Sequence, residues 1–381
     1  MPYVAQVGIR HRGTMMTRSM NLMMAASIAG MLGFFLLFSA VPLYAATGGS
    51  GGSGAGAATG AMMLATVLAE LAVPWLLSRY GYRRALALGL LLLGLPALLL
   101  PLSAALPLVL AVCVLRGAGL GVLVVAGTAL TADLAPADRR GEGLGLYGLA
   151  VGLPSVLGLP LGLWAADALG FTPVFVIAGL LPLAGLVAVS GLPALKPVPA
   201  AEGGRSSGLA APMLVFASVT VAVGVLATFL PLAGSPELAS VALLAQSLAT
   251  PAARWWAGRF GDRHGSAGLL VPGLLAAAAG TALQAWTDGP VPVVAGMALF
   301  GAGFGVLQNA TLALMLERGG SARVSALWNL AYDAGMGVGA AGFGLVLGHT
   351  GYALGFVLVA ALMVAVLPLT RVRPAYAALP R

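Results

Sequence analysis

Twelve apolar runs, most of them twenty residues or longer, dominate the chain and leave little choice of architecture. A bilayer core of about 30 Å takes roughly 20 apolar residues per helix. The runs fall near 20–46, 57–78, 85–105, 107–132, 143–167, 170–191, 209–233, 238–258, 265–286, 291–316, 323–348 and 351–370. Backbone groups in lipid must pair within a helix or a closed barrel, and the runs carry no period-2 alternation, so helices are expected. Composition agrees: 60% of the 381 residues are hydrophobic and 8% charged, against roughly 25% charged in soluble domains. The expected fold is an all-α integral membrane protein of twelve transmembrane helices.

Charge placement gives that count an orientation. With both termini cytoplasmic, Arg10, Arg12, Arg18, Arg79, Arg83, Arg84, Arg139, Arg140, Lys196, Arg205, Arg254, Arg259, Arg263, Arg318, Arg323, Arg371, Arg373 and Arg381 all lie on one side or at helix ends facing it. These are all the cations but Arg116. The opposite loops hold Asp167, Glu237 and Asp288, a strong positive-inside bias. The net charge of +8 thus reflects topology and anionic membrane lipid, and nucleic acid is not expected as a partner. The basic N-terminus followed by an apolar run imitates a secretory signal, but the run from Asn21 to Thr47 is too long for one and reads as the first span. Lone Cys113 has neither a disulfide partner nor metal spacing and is expected to pack.

The chain also repeats itself. "LSRYGYRR" at 77–84 and "GRFGDRHG" at 258–265 align Arg79 with Arg263 and Gly81 with Gly265, each pair 184 residues apart. At the same offset "LRGAGLGVL" (115–123) falls on "LFGAGFGVL" (299–307), differing only at Arg116/Phe300 and Leu120/Phe304. Chance among Gly-, Ala- and Leu-rich helices explains one such match more easily than two in one register. The Pro-, Gly- and Ser-rich stretch 195–208 then divides the copies. The expected layout is a cytoplasmic tail 1–19, a six-helix bundle 20–191, a linker 192–208, a second bundle 209–370 and a tail 371–381. Two parallel copies suit a carrier in which one bundle rocks against the other.

Twelve spans, a 6+6 repeat and a basic break after the second helix of each half resemble the major facilitator superfamily. Gly258, Asp262, Arg263 and Gly265 are similar to its G-x-x-x-D-R/K-x-G loop signature. The first copy matches through Arg79, Gly81 and Arg83, with Ser78 where the Asp would stand and Pro74 in place of the usual Gly. The resemblance implies a cytoplasmic gate in which the carboxylate faces a helix N-terminus of the opposite half. The alternative is that these cations only set topology. An arginine in helix four followed by glycines, here Arg116 with Gly117, Gly119 and Gly121, resembles the drug:proton antiporter branch. Pro154 and Pro160, with Gly152, Gly158 and Gly162, make helix five a candidate for that branch's bent helix, its G-P-x-x-G motif scrambled to "GLPLG".

Three ionisable residues fall inside apolar runs: Glu70, Arg116 and Asp333. Each costs about 2.5–3.5 kcal/mol at the bilayer centre, so each is expected to face a cavity or a partner. Asp333 lies about ten residues, or ~15 Å, from its helix end, with Asn329 one turn earlier on the same face. A carboxylic acid there can load and release a proton as access alternates; alternatively it is fixed by hydrogen bonds in a Gly-rich helix contact. Glu70 is a second protonatable site, a partner for a substrate cation or a packed side chain, and Arg116 tunes a nearby acid, holds an anionic substrate or is half of a structural ion pair. Gln308 and Asn309 line the cavity or hold helices together. Tyr44 and Pro42, and Trp255 and Trp256, read as kink and interfacial belt, and "GGSGGSGAG" (48–56) as a flexible spacer in the first outer loop.

The expected function is proton-coupled efflux of a small amphipathic or hydrophobic compound by a monomer, without cofactor or metal. Its alternative is a proton-coupled importer or facilitator of a sugar or other metabolite. An intramembrane enzyme is disfavoured, since His11, His264 and His349 lie in or near breaks without metal spacing. A non-transporting receptor on the same scaffold is a lesser possibility. Eighteen Arg against one Lys hints at a GC-rich bacterial genome, and hence a bacterial inner membrane.

Overall fold

A chain this apolar can satisfy its backbone only by coiling it, and nearly every described residue is helical. The computed structural model describes residues 17–135, 140–197, 208–287, 289–318 and 321–371. Arg10, Arg12, Arg139, Arg205, Asp288, Arg373 and Arg381 lie outside the described residues, as do the side chains of Arg140, Asp262 and Arg323. The helices are α1 (Arg18–Phe38), α2 (Ala40–Ala45), α3 (Gly51–Gly94), α4 (Leu106–Leu134), α5 (Arg140–Leu169) and α6 (Phe171–Ser190). They continue as α7 (Ala210–Ala233), α8 (Pro236–His264), α9 (Leu270–Ala282), α10 (Pro290–Leu316) and α11 (Ser321–Ala365).

Among the described residues eight helical stretches are long and apolar enough to cross a membrane. Two of them contain reversals. α3 breaks at Gly81 (φ 77°) and α11 at Gly351 (φ 66°), left-handed conformations that favour glycine. Gly81 is doubly constrained, because a Cβ there would sit 2.7 Å from the Leu195 carbonyl, which also accepts from the Tyr82 amide at 3.0 Å. Pro42 supplies no amide to the Phe38 carbonyl one turn before it, and the first rod accordingly interrupts at Ser39 between α1 and α2.

α1 packs on α5 and α6, and α3 on α4; in the second group α7 packs on α11, and α10 on α8 and α9. The packing repeats residue by residue. Gly117 and Gly121 of α4 lie against the Met62 and Thr66 carbonyls of α3; 184 residues on, Gly301 and Gly305 of α10 lie against the Gln246 and Thr250 carbonyls of α8. Gly119 meets Gly89 and Leu93 as Gly303 meets Gly273 and Ala277. Gly81 and Gly265 share a positive φ.

Several boundaries differ from the sequence reading. The Gly/Ser stretch is no spacer: the chain turns in a short π-helical segment, Ala46–Ser50, and α3 begins at Gly51. Gly48, Gly52, Gly54 and Gly56 pack closely against neighbours while Gly49 and Gly51 turn the chain at positive φ, a division that composition alone cannot show. α8 continues six residues past the expected end at 258, through Arg259 and Arg263 to His264, so Arg254 lies ten residues inside the helix rather than at its end. α5 runs unbroken through Pro154 and Pro160, while Gly158 and Gly162 let it approach Phe35 and Leu36 of α1. Tyr44, beside the Pro42 interruption, packs against Phe171 and Phe175 and donates to the Leu100 carbonyl at 3.0 Å.

Candidate functional site

α3 and α11 run side by side from the end of the molecule opposite Arg18. Gly52, Gly56 and Gly60 recur every fourth residue on one face of α3 and meet Leu347, Gly344, Ala340 and Ala341 of α11. Gly337 then meets Met63. Side chains this small let two backbones touch, as in close membrane helix pairs. Continued two turns further, the same seam ends at Glu70 and Asp333, whose carboxyl groups lie within hydrogen-bonding reach of each other. Asp333 is buried, Glu70 half-buried, and one Glu70 oxygen, Oε1, has no partner.

Beyond the carboxyl pair the seam opens. Toward the end carrying Arg18, exposure rises on both helices: Pro74 and Ser78 are exposed on α3, Asn329 is half-buried and Ala326 exposed on α11. The second seam behaves alike. Ser247 of α8, buried, donates to the Ser155 carbonyl of α5 at 3.4 Å, whereas a Cβ on Gly152 or Gly148 would meet nothing. At the closed end the Thr59 and Thr228 hydroxyls bond at 2.9 Å across the two helix groups. Among the described residues, both of these hydrogen bonds between the groups lie on the closed side of Glu70 and Asp333.

Arg116 is 2% exposed and donates from Nη2 to the Gly33 carbonyl at 3.1 Å, while Nη1 has no partner. It borders a cavity of about 10 Å³ with Cys113, Met62, Thr59 and Pro42, room for about one water. Its repeat mate, Phe300, is a fully buried core residue. The structure therefore keeps Arg116 apart from the carboxyl pair, inside the first helix group.

Gln308 is buried and accepts from Arg254 Nη1 at 3.4 Å; Asn309 lies against Gly258 where α10 crosses α8. Arg254 also faces Tyr332, the neighbour of Asp333. Tyr332 belongs to a ring cluster in which Phe216 stacks on Trp328 at 4.4 Å and Phe304 lies 6.1 Å from Tyr332. Sequence reasoning does not single out Arg254, Tyr332 or Trp328 as site residues. For Arg254 the repeat holds a signal: counted 184 residues on, it is the mate of Glu70.

The basic breaks are not alike. Arg79, Arg83 and Arg263 are exposed, Gly265 closes α8 at φ 85° with open space around it, and the Asp262 side chain lies outside the described residues. The first break is tied inward instead, by Gly81 and Tyr82 on Leu195 and by the Tyr82 hydroxyl donating to Asp133 Oδ2 near the end of α4. Asp133 is silent in the sequence, since it sits at a helix end where a carboxylate raises no question.

A body that is helical at nearly every described residue, with helices long and apolar enough to cross a membrane, is a multi-pass membrane protein, and its family model and transporter neighbours make it a transporter and not a typical enzyme. The family model described as Major Facilitator Superfamily matches residues 23–320, and the chain belongs to that superfamily. No curated protein matches it in sequence. The xylose transporter XylE from E. coli in its inward open conformation is similar over 93% of this chain and 96% of its own, at 14% identity and TM-score 0.75. A POT family transporter in complex with a thioalcohol conjugated peptide gives 12% identity, 92% and 94% coverage and TM-score 0.73. The nucleoside transporter NupG, as a point mutant, gives 16% identity, 91% and 98% coverage and TM-score 0.66. At such identities these likenesses establish the fold.

Proposed function

We propose that the chain is a proton-coupled secondary transporter that works by alternating access and exports a small amphipathic compound, in a bacterial inner membrane. In this reading α3 and α11 each supply two spans, divided at Gly81 and Gly351; α1 with α2 makes one, and the total is twelve. The bundles are 20–191 and 209–370, joined by the linker 192–208, and both termini are cytoplasmic, so the open end faces inward. The exposed cations at that end support this orientation.

One observation carries the coupling: Glu70 and Asp333 belong to different bundles and meet at the floor of the open space. Two carboxylates this close repel one another, so the pair favours holding a proton between them. When the bundles rock and the Thr59–Thr228 contact parts, the carboxyls separate and each meets a different environment. Proton release on one side and uptake on the other is thereby linked to the motion that carries the cargo. The gate role of Gly258, Asp262, Arg263 and Gly265 is part of the proposal: on closure of the inner end Asp262 meets a helix N-terminus of the first bundle.

The test is transport in proteoliposomes under an imposed pH gradient, comparing the native protein with Asp333→Asn and Glu70→Gln. Either variant is expected to lose pH-driven accumulation while retaining counterflow of the cargo. Accumulation at the native rate in both would remove the pair from the mechanism.

A further inference from the structure

Arg254 is a half-buried cation whose described partners include no anion. It stands ten residues inside α8, about 15 Å from the helix end. Its recorded hydrogen bond goes to the Gln308 amide oxygen and the ionisable group it faces is the Tyr332 phenol, both neutral at physiological pH. A guanidinium partly withdrawn from water without a counter-charge is costly, and its side chain is half-buried rather than sealed. Arg116, a buried cation, borders space for one water and cannot admit an organic group in this arrangement. Arg254 is also the pseudo-symmetric counterpart of Glu70, so the repeat that directs Glu70 toward the space between the bundles directs Arg254 toward it from the other side.

We propose that Arg254 is the anion-binding group of the substrate site, and that the cargo is an organic monocarboxylate with an aromatic or similarly flat apolar body. The inference rests on the transporter reading above and names its substrate class. A planar guanidinium pairs with a carboxylate through two parallel hydrogen bonds. Gln308 accepts from one arm of the fork, and the half-buried Tyr332 that Arg254 faces packs with Trp328 at 5.9 Å, aromatic surface for the rest of the cargo. A neutral or cationic compound of the same shape leaves the guanidinium unpaired and its desolvation unrelieved. Export of an anion in exchange for protons also moves charge in a favourable sense twice over, since an inside-negative potential drives the anion out and the proton in.

The probe is 3-phenylpropionate, set against its uncharged amide and against 3-phenylpropylamine, with binding followed by thermal stabilisation of the purified protein in detergent. The carboxylate at millimolar concentration is expected to raise the melting temperature, with roughly tenfold weaker binding for the amide and none for the amine. Arg254→Gln should abolish the preference and Arg254→Lys restore part of it, both variants unfolding at the native temperature without ligand. No stabilisation by the carboxylate, equal stabilisation by the amide, or native carboxylate binding in Arg254→Gln each overturns the proposal. Flux separates this idea from its premise. Carboxylate binding that depends on Arg254, with no uptake into liposomes under any gradient, sinks the transporter reading and leaves the anion site standing; transport unchanged in Arg254→Gln does the reverse.

Discussion

At the scale of single residues, the carboxyl pair makes a sharper claim than either acid alone. If Glu70 and Asp333 hold one proton between them, the double variant Glu70→Gln/Asp333→Asn should be no more impaired in pH-driven transport than the worse single variant. Effects that multiply would mean two independent proton sites, because groups acting as one unit give non-additive losses. Tyr82 supports a different expectation. Its hydroxyl serves Asp133 within one bundle, so Tyr82→Phe should destabilise the protein by about 1 kcal/mol, read as a lower unfolding temperature, and leave the pH dependence of transport unchanged. An altered pH profile would draw the first basic break into the coupling machinery.

At the scale of elements, small residues decide which helices touch. A side chain at Gly56 has no room, since its Cβ would already lie 2.5 Å from the Ala340 carbonyl. Gly56→Val should therefore wedge α3 from α11 and favour the state open at the other end. Cys113, the only cysteine, buried and lining the same small cavity as Thr59, reports this: a thiol reagent added from that side should label it several-fold faster in the variant, and unchanged labelling would mean that the seam does not gate. The same helices mark how far sequence alone reaches. Apolar runs and the 184-residue register made the helical body and the duplication legible, and charge inside an apolar run flagged Glu70, Arg116 and Asp333. It could not say that Glu70 and Asp333 meet while Arg116 stands apart, because partnership across bundles depends on which faces oppose. Arg254 was hidden by hydropathy, which ended α8 where polar residues began although the backbone helix continues.

At the scale of the whole molecule, two helix groups with matching internal packing touch along seams at one end and part toward the other. Replacing Thr59 and Thr228 with cysteine, in a Cys113→Ser background, should allow an oxidant to join hydroxyl positions now 2.9 Å apart and stop transport, with recovery on reduction. Transport that continues through the cross-link would mean that the bundles need not separate there. The glycine-and-serine stretch at the head of α3 carries a practical consequence. Anyone preparing this protein for study would be tempted to trim it as a cloning scar or to splice a fluorescent tag into it. Because Gly52 and Gly56 of this stretch lie directly against α11, either edit strikes the contact between the two helix groups, and a protein so altered is expected to reach the membrane and still fail to transport.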